Sequence, residues 1–362
     1  MVKFIHTGDV HIGMEFKKAS FGIDFAKKRR NEIKETFYNI VKRAGDNKVH
    51  LLLISGDLFE DEYITIGDLK ELNNQFSKII DTKVIIIAGN HDPIIGNKSN
   101  YSLINWSNNV HIINTEIEKL VFEDIGVDIY GLSWNKKQIK DNLLNDIQIE
   151  DKNKINILLA HGDIYQQSNY LPIDKNNLIQ KGFDYVALGH IHKSDFIEDN
   201  IAYCGSPEPL DFSESDKHGI IEGCISNSTL DISFVPFAKR EFVIMHIDID
   251  ENMTVECIID IIVNKLQNHE FHNLYRIILE GMKDKDIKLD INYIKNRLEE
   301  HVIYTEIIDK TTPNYDLDQL RKENANNVIG KFIEHMESDI EDDIYRQALY
   351  EGIEALLSEK VN

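Results

Sequence analysis

Five short polar clusters follow one another along the chain: Asp9-Val10-His11, Gly56-Asp57, Gly89-Asn90-His91-Asp92, His161 and Gly189-His190-Ile191-His192. Singly, each has an ordinary structural reading. Asp9 and Asp57 suit helix caps or turns, Asn90 a left-handed turn, and His161 a hydrogen-bonded loop histidine. Together they supply two carboxylates, one amide oxygen and four imidazoles besides His91, enough to hold two divalent cations if one carboxylate is shared. Two cations about 3.5–4 Å apart can clamp a phosphoryl group and activate water between them, which requires hard oxygens, imidazoles and open positions. Mixed oxygen and nitrogen ligation suits Mn²⁺, Fe²⁺ or Zn²⁺, whereas an all-oxygen set would favour Mg²⁺ or Ca²⁺ and a thiolate set structural zinc. The chemistry these residue types predict is metal-assisted phosphoester hydrolysis, with no protein nucleophile and no ATP site required.

Each cluster follows an apolar run, at 4–6, 51–54, 84–88, 155–160 and 185–188. Near-continuous apolar strands suit a sheet buried on both faces, and helical patterns at 26–44 and 66–80 separate the early ones, which predicts an α/β layered domain. The clusters then lie at strand C-terminal ends, where open α/β sheets place their sites. After Lys239-Arg240 the pattern changes to strand-like 242–249, helix-like 254–268, strand-like 274–280, helix-like 291–300 and strand-like 302–308, a small β-α-β-α-β unit. Beyond Thr311, Pro313 and polar neighbours suggest a linker, and Val328, Ile329, Phe332, Ile333 and Met336 recur at helical spacing. The expected organisation is a catalytic domain over 1–240, an accessory domain over 241–310, and a linker with helical tail over 311–362.

The 62 acidic residues against 40 Lys and Arg give a formal charge of -22. That excludes indiscriminate nucleic-acid binding, which draws on cations displacing counterions from phosphates. No apolar leader precedes the first motif and no apolar run reaches the ~18 residues of a membrane span, so a soluble, cytoplasmic protein is expected. Cys204, Cys224 and Cys257 form no C-x-x-C pair, which fits a reducing compartment.

The ordered D-x-H, G-D, G-N-H-D, H and G-H-x-H set resembles that of the calcineurin-like metallophosphoesterases. Within that superfamily, Thr7-Gly-Asp-Val-His-Ile-Gly, Ser55-Gly-Asp-Leu-Phe, Ala88-Gly-Asn-His-Asp-Pro and Tyr203-Cys-Gly-Ser-Pro resemble the DNA-repair exonuclease branch, the SbcD-type nuclease subunits. The resemblance implies a layered β-sandwich flanked by helices, with a small α/β second domain and a helical tail. It also implies that Asp9, His11, Asp57 and His192 hold one metal and Asp57, Asn90, His161 and His190 the other, with Asp57 as the bridge and Mn²⁺ as the leading metal. His91 would face the substrate and assist the leaving oxygen, and Asp92 would orient its ring. The implied partners are DNA, an SbcC-like coiled-coil ATPase docked on the tail, and a second copy of the chain. One departure stands out: Glu60 follows Gly-Asp-Leu-Phe, where some relatives carry a second active-site histidine.

A basic stretch, Lys17, Lys18, Lys27, Lys28, Arg29, Arg30 and Lys34, stands out in this acidic chain; Lys17, Lys18, Arg29 and Arg30 are candidate contacts to a phosphate backbone, with a solvated helix face as the alternative. The tail carries twelve acidic residues against five basic ones, with apolar residues at helical intervals, a pattern suited to docking or to packing on its own domains. The expected function is a metal-dependent DNA nuclease. A phosphodiesterase or phosphatase acting on nucleotides or phosphoproteins, and a DNA-end tethering scaffold, are the alternatives.

Overall fold

The computed structural model describes the whole chain except residues 17–20, 97–98, 166–168, 227–228, 268–271, 337–342 and 359–362. It divides into two compact units, Met1–Glu241 and Phe242–Asn362.

The first unit runs β1 (Val2–Thr7), α1 (Ile23–Asp46), β2 (Leu51–Ser55), α2 (Ile66–Ser77), β3 (Lys83–Ile87), β4 (Val110–Ile112), β5 (Glu118–Phe122), β6 (Val127–Gly131), β7 (Ile155–His161), α3 (Lys175–Lys181), β8 (Tyr185–Gly189), β9 (Asp195–Glu198), β10 (Ile201–Tyr203), β11 (Gly219–Ser226) and β12 (Thr229–Pro236). These strands form two six-stranded sheets, ordered β12-β11-β1-β2-β3-β4 and β5-β6-β7-β8-β10-β9. The apolar strands are buried on both faces because each sheet is covered twice. Phe4, Leu51, Leu53, Ile85 and Ile87 of the first sheet pack against Ile129, Ile157, Leu159 and Ala187 of the second. The alternate residues Ile5, Leu52, Ile54, Val84 and Ile86 pack instead on Ile33, Phe37 and Ile40 of α1 and Leu69, Leu72 and Phe76 of α2. Strand side chains point to opposite faces with period two, so one apolar run serves both layers, and each fully buried Leu, Ile or Phe contributes roughly 1.5–3 kcal/mol.

Helix α1 extends over Ile23–Asp46, starting earlier than the helical pattern at 26–44. Helix α2 opens on a reciprocal cap: the Asp68 backbone N–H donates to Thr65 Oγ1 at 3.1 Å and the Asp68 carboxylate accepts the Thr65 N–H at 3.1 Å. In the core, β1 to β4 run parallel, as do β6, β7, β8 and β10. The C-terminal ends of β1, β2, β3, β7 and β8 carry the five polar clusters.

The second unit begins with β13 (Phe242–Ile249), α4 (Val255–Leu266), β14 (Leu274–Lys283), α5 (Ile291–Leu298), β15 (Tyr304–Asp309) and β16 (Thr312–Pro313). Its parallel sheet has β14 between β13 and β15, with β16 also pairing β14. It continues into α6 (Leu317–Glu323), α7 (Val328–Met336) and α8 (Asp343–Ser358), where Ile329, Ile333, Leu349 and Ile353 form a small core of their own. Among the described residues, no helix is long and apolar enough to cross a membrane.

Candidate metal centre

The loops leaving β1 and β2 run side by side, joined by backbone bonds from Asp9 N–H to Gly56 O at 3.0 Å, His11 N–H to Asp57 O at 3.0 Å and Ile12 N–H to Leu58 O at 3.1 Å. This pairing brings Asp9, His11 and Asp57 together although 48 residues separate Asp9 from Asp57. The side chains then tie in the other loops. The Asp9 carboxylate accepts the His190 backbone N–H at 3.0 Å, and Asp57 Oδ1 accepts that of His91 at 2.8 Å. Four of these residues have left-handed backbone, with φ of 49° at Asp9, 53° at His11, 51° at Asp57 and 97° at His190. Non-glycine residues adopt such geometry at a cost, and it concentrates at functional sites where the surroundings over-determine it. Gly56 has φ of 96°, and a Cβ there would lie 2.4 Å from His161 Nδ1, so the close approach of the two loops needs a residue without one.

All seven ligands named by the resemblance converge. Asp9, His11 and His192 form one cluster of donor atoms, and Asp9, Asp57 and His161 another. His11 Nε2 lies 3.1 Å from His192 Nε2. Asn90 Oδ1 lies 3.0 Å from His161 Nε2 and 3.2 Å from His190 Nδ1. Asp57 Oδ2 sits between the groups, 3.3 Å from His161 Nε2 and 3.9 Å from His11 Nε2. Separations near 3 Å are those of ligands sharing an ion with bonds of about 2.1 Å. The remote ring nitrogens are committed elsewhere. His11 Nδ1 bonds Glu60 Oε1 at 2.8 Å, His192 Nδ1 bonds Glu214 Oε1 at 2.7 Å, and His161 Nδ1 bonds Ser55 O at 2.9 Å. Each such bond places the proton on Nδ1 and turns the Nε2 lone pair inward, as metal-binding histidines require. The donor set therefore fits two divalent cations.

The electrostatics agree. Burial opposes charge on Asp57, but the imidazoles of His161, His11 and His91 outweigh it and hold the carboxyl below the ordinary range. Burial pushes Asp9 up. Burial works against charge on His161 and His192 too, yet Asp57 raises His161 to about 9 and Glu214 raises His192 to about 9. Burial, with His161 beside it, lowers His190 to about 4. A group of carboxylates that draws protons onto adjacent imidazoles is one in which cations can take the place of those protons.

His91 stands at the mouth with its side chain 44% exposed, and its Nδ1 lies 3.0 Å from Glu60 Oε2. The expectation that Asp92 orients this ring is corrected. Asp92 is fully buried, and it accepts the backbone N–H of Asp57 at 3.2 Å, Leu58 at 2.8 Å and Gly89 at 2.6 Å, and the Tyr101 hydroxyl at 2.6 Å. Its carboxylate braces the loops beneath the ligands. Successive side chains of a tight turn diverge, so adjacency to His91 in sequence does not make them neighbours. Burial, and then Asp57, push Asp92 up to about 6.

The basic stretch separates. Lys17 and Lys18 lie outside the described residues, Arg30 is half-buried, and Lys34 pairs with Asp68. Arg29 is corrected as a backbone contact: it is 0% exposed, and donates to Glu32 at 2.7 Å, Glu208 at 3.0 Å and the Pro209 carbonyl at 3.2 Å. His6, packed beneath the centre, lies 2.8 Å from the Tyr185 hydroxyl and 3.1 Å from Ser55 Oγ. Three contributors had no signal in sequence spacing: Glu214, Tyr101 and Tyr170, whose ring stacks on His190 at 4.9 Å. A cleft of about 580 Å³ opens on His91, with Glu15, Asp61, Glu62 and Asp211 on its walls and Lys137 paired to Glu62.

A family model for calcineurin-like phosphoesterases matches residues 2–194. The chain is 26% identical over 253 residues to an uncharacterized metallophosphoesterase, YhaO, of Bacillus subtilis, covering 64% of this chain and 59% of that protein. It is 30% identical over 268 residues to the DNA double-strand break repair protein Mre11 of Methanocaldococcus jannaschii, covering 67% of this chain and 69% of the other. The first match thus spans under two thirds of the relative's own length.

Proposed function

The chain belongs to the calcineurin-like phosphoesterase family, and from that membership we propose that it is a two-metal phosphodiesterase acting on DNA, the nuclease subunit of a repair assembly. The observation that carries the reading is the convergence of Asp9, His11, Asp57, Asn90, His161, His190 and His192 from five strand ends, with His91 at the open side. Two divalent ions held there, Mn²⁺ by preference and Fe²⁺ or Zn²⁺ otherwise, would polarise the phosphoryl oxygens and activate water. The chain's own residues supply the rest. Asp57 would be the shared carboxylate, and Glu60, Glu214 and the Ser55 carbonyl hold the rings of His11, His192 and His161 that would bind. His91, raised by the Glu60 hydrogen bond and the Asp57 charge against its burial, offers its Nε2 proton to the departing oxygen.

DNA as substrate is favoured by the similarity to a protein whose name is DNA double-strand break repair protein. A coiled-coil ATPase docked on the C-terminal helices, and a second copy of the chain, belong to the same proposal; the exposed Val328 of α7 and Ile344 of α8 suit such docking. The acidic cleft walls favour a second reading, a small nucleotide diester as substrate, because carboxylates around the mouth repel an extended polyanion.

The test incubates metal-stripped protein with end-labelled single- and double-stranded DNA and with bis(p-nitrophenyl) phosphate, adding Mn²⁺, Mg²⁺ or Zn²⁺ in turn, with His91→Ala beside it. Mn²⁺-dependent DNA cleavage lost in His91→Ala supports the first reading. Hydrolysis of the small diester without DNA cleavage moves the substrate to the second. No hydrolysis with any metal refutes both.

A further inference from the structure

We propose that the first unit carries a second ligand site, remote from the metal centre, that takes a nucleoside 5′-monophosphate. The site is a cavity of about 880 Å³ at the C-terminal ends of α1 and α2, lined in part by Tyr38, Lys42, Lys48, His50, Lys78 and Ile80. Pockets for small ligands run to roughly 300–1,000 Å³. Val49 and His50 precede β2 and Thr82 precedes β3, whereas Asp57 and Asn90 follow those strands, so the cavity and the metal centre lie at opposite ends of the sheet. Strands of five residues set the two ends roughly 17 Å apart.

The walls are held in place. Asn109 Nδ2 donates to Phe76 O at 3.1 Å, Ile79 O at 3.1 Å and Thr82 O at 3.0 Å, and Thr82 Oγ1 donates to Val49 O at 2.8 Å. Gly45 lets α1 meet this turn closely, since a Cβ there would lie 2.6 Å from Ile79 Cγ2. Helix α1 itself ends in a Schellman turn, with Val49 N–H donating to Ala44 O and Lys48 N–H to Gly45 O, both at 3.0 Å. The residue after the cap of such a turn takes left-handed backbone and is usually glycine, yet here it is Lys48, with φ of 49°. Lysines near helix C-termini offset the helix dipole, and that role by itself accounts for Lys42 and Lys78. It does not account for a lysine at a position that favours glycine. Backbone held at such a cost marks a side chain kept for what it contacts.

Three chemistries meet on the lining. Lys42, Lys48 and Lys78 bring three ammonium groups, and among the described residues no carboxylate pairs with them; Lys78 donates to Gln75 Oε1 at 3.0 Å. In a chain of formal charge -22 this is a local excess of cations. Val41, Val49 and Ile79 give a buried apolar floor, with half-buried Tyr38 and exposed Ile80 beside it, against which a base can lie. Asp46 and Asp81 line the same cavity as acceptors, the part that carboxylates take toward ribose hydroxyls. His50 Nδ1 accepts the Lys3 backbone N–H at 3.1 Å, which leaves the proton of the neutral ring on Nε2 as a further donor. Phosphate, sugar and base each find a partner here. Inorganic phosphate would leave the apolar floor unused and meet the two carboxylates with nothing to offer them.

Calorimetry on the full chain, metal-stripped and Mn²⁺-loaded, tests the site with the four ribonucleoside 5′-monophosphates, adenosine and inorganic phosphate. At least one nucleotide should bind the stripped chain, more tightly than adenosine or phosphate, and more weakly as salt is raised. Lys78→Ala should weaken that binding about tenfold, the loss of one charge-assisted contact, and Lys42→Ala with Lys78→Ala should abolish it. Lys48→Gly should also weaken it about tenfold while raising Tm by roughly 2–4 °C, because glycine relieves the left-handed backbone. A disturbed fold would lower Tm instead, so the two causes of lost binding separate.

No nucleotide binding by the stripped chain overturns the proposal. Binding that appears only with Mn²⁺ and survives in the lysine variants places the nucleotide at the metals and overturns it as well. Phosphate bound as tightly as the nucleotides leaves an anion site that ignores the nucleoside, which refutes the ligand assigned. Parent-like affinity in Lys48→Gly refutes the part given to the left-handed lysine, and with it the built site.

Discussion

Arg29→Ala separates the two roles open to the basic stretch, a contact to nucleic acid or a part of the fold. Arg29 is enclosed with Glu32, Glu208 and Arg240; Arg240 Nε donates to Glu32 at 2.7 Å, and Thr36 Oγ1 and the Lys239 backbone N–H each reach Glu208 at 2.6 Å. Two guanidiniums and two carboxylates balance. Removing Arg29 leaves one buried negative charge without its counterpart, a change that costs about 3–5 kcal/mol when a buried pair is broken. Both carboxylates keep other donors, which places the expected loss near the lower end, about 3 kcal/mol. A unit of this size loses roughly 2–4 °C in Tm per kcal/mol, so thermal unfolding followed by circular dichroism should show a drop of roughly 6–12 °C. The salt dependence of DNA affinity should be unaltered, whereas losing one phosphate contact would lower the slope of log K against log salt by about 0.9. A Tm within about 2 °C of the parent, together with that change in slope, would refute the structural role of Arg29.

Asp92→Asn keeps the shape beneath the centre but turns one oxygen into a donor, leaving the Leu58 N–H or the Asp57 and Gly89 N–H groups without an acceptor. Denaturant unfolding should register a loss of about 1–3 kcal/mol and calorimetry weaker Mn²⁺ binding by about ten- to hundredfold; parent-like values in both would contradict the bracing role. Gly56→Ala places a Cβ 2.4 Å from His161 Nδ1 at a φ of 96°, so the His161 bond to Ser55 O should break and Mn²⁺ binding should collapse, while intact binding would show that the loops tolerate a side chain there. Burial opposes charge on Glu32, but Arg240 and Arg29 outweigh it and depress its carboxyl from the ordinary 4.5. A depressed carboxyl stabilises above its unfolded pKa, and the contribution is lost as pH falls through the lowered folded value. The Tm gap between the parent and Glu32→Gln should therefore be widest above pH 4.5 and close on further acidification; a gap independent of pH would sink that account.

Local pattern carried the elements. The apolar run at 242–249 is the strand Phe242–Ile249, and the helical pattern from 66 is α2, because burial on one or two faces writes its period into neighbouring residues. Shorter strands such as β9, β10 and the β5-β6 pair left weaker traces, since three to five residues hold too few repeats to separate a strand from a loop. In the site, residue types and their order at strand ends were legible, because a metal centre demands imidazoles and carboxylates whatever the surroundings. What each neighbour does was not. Asp92 and His91 are adjacent in the chain yet serve different layers, and Glu60 acquires its role from His11 and His91 on two other loops. Arg29 is part of the fold because Glu208, 179 residues away, closes over it. A run of charges has the same composition whether it meets water or a buried partner. Only the tertiary structure decides which, because the dielectric and the partners around a charge are set by residues remote in sequence.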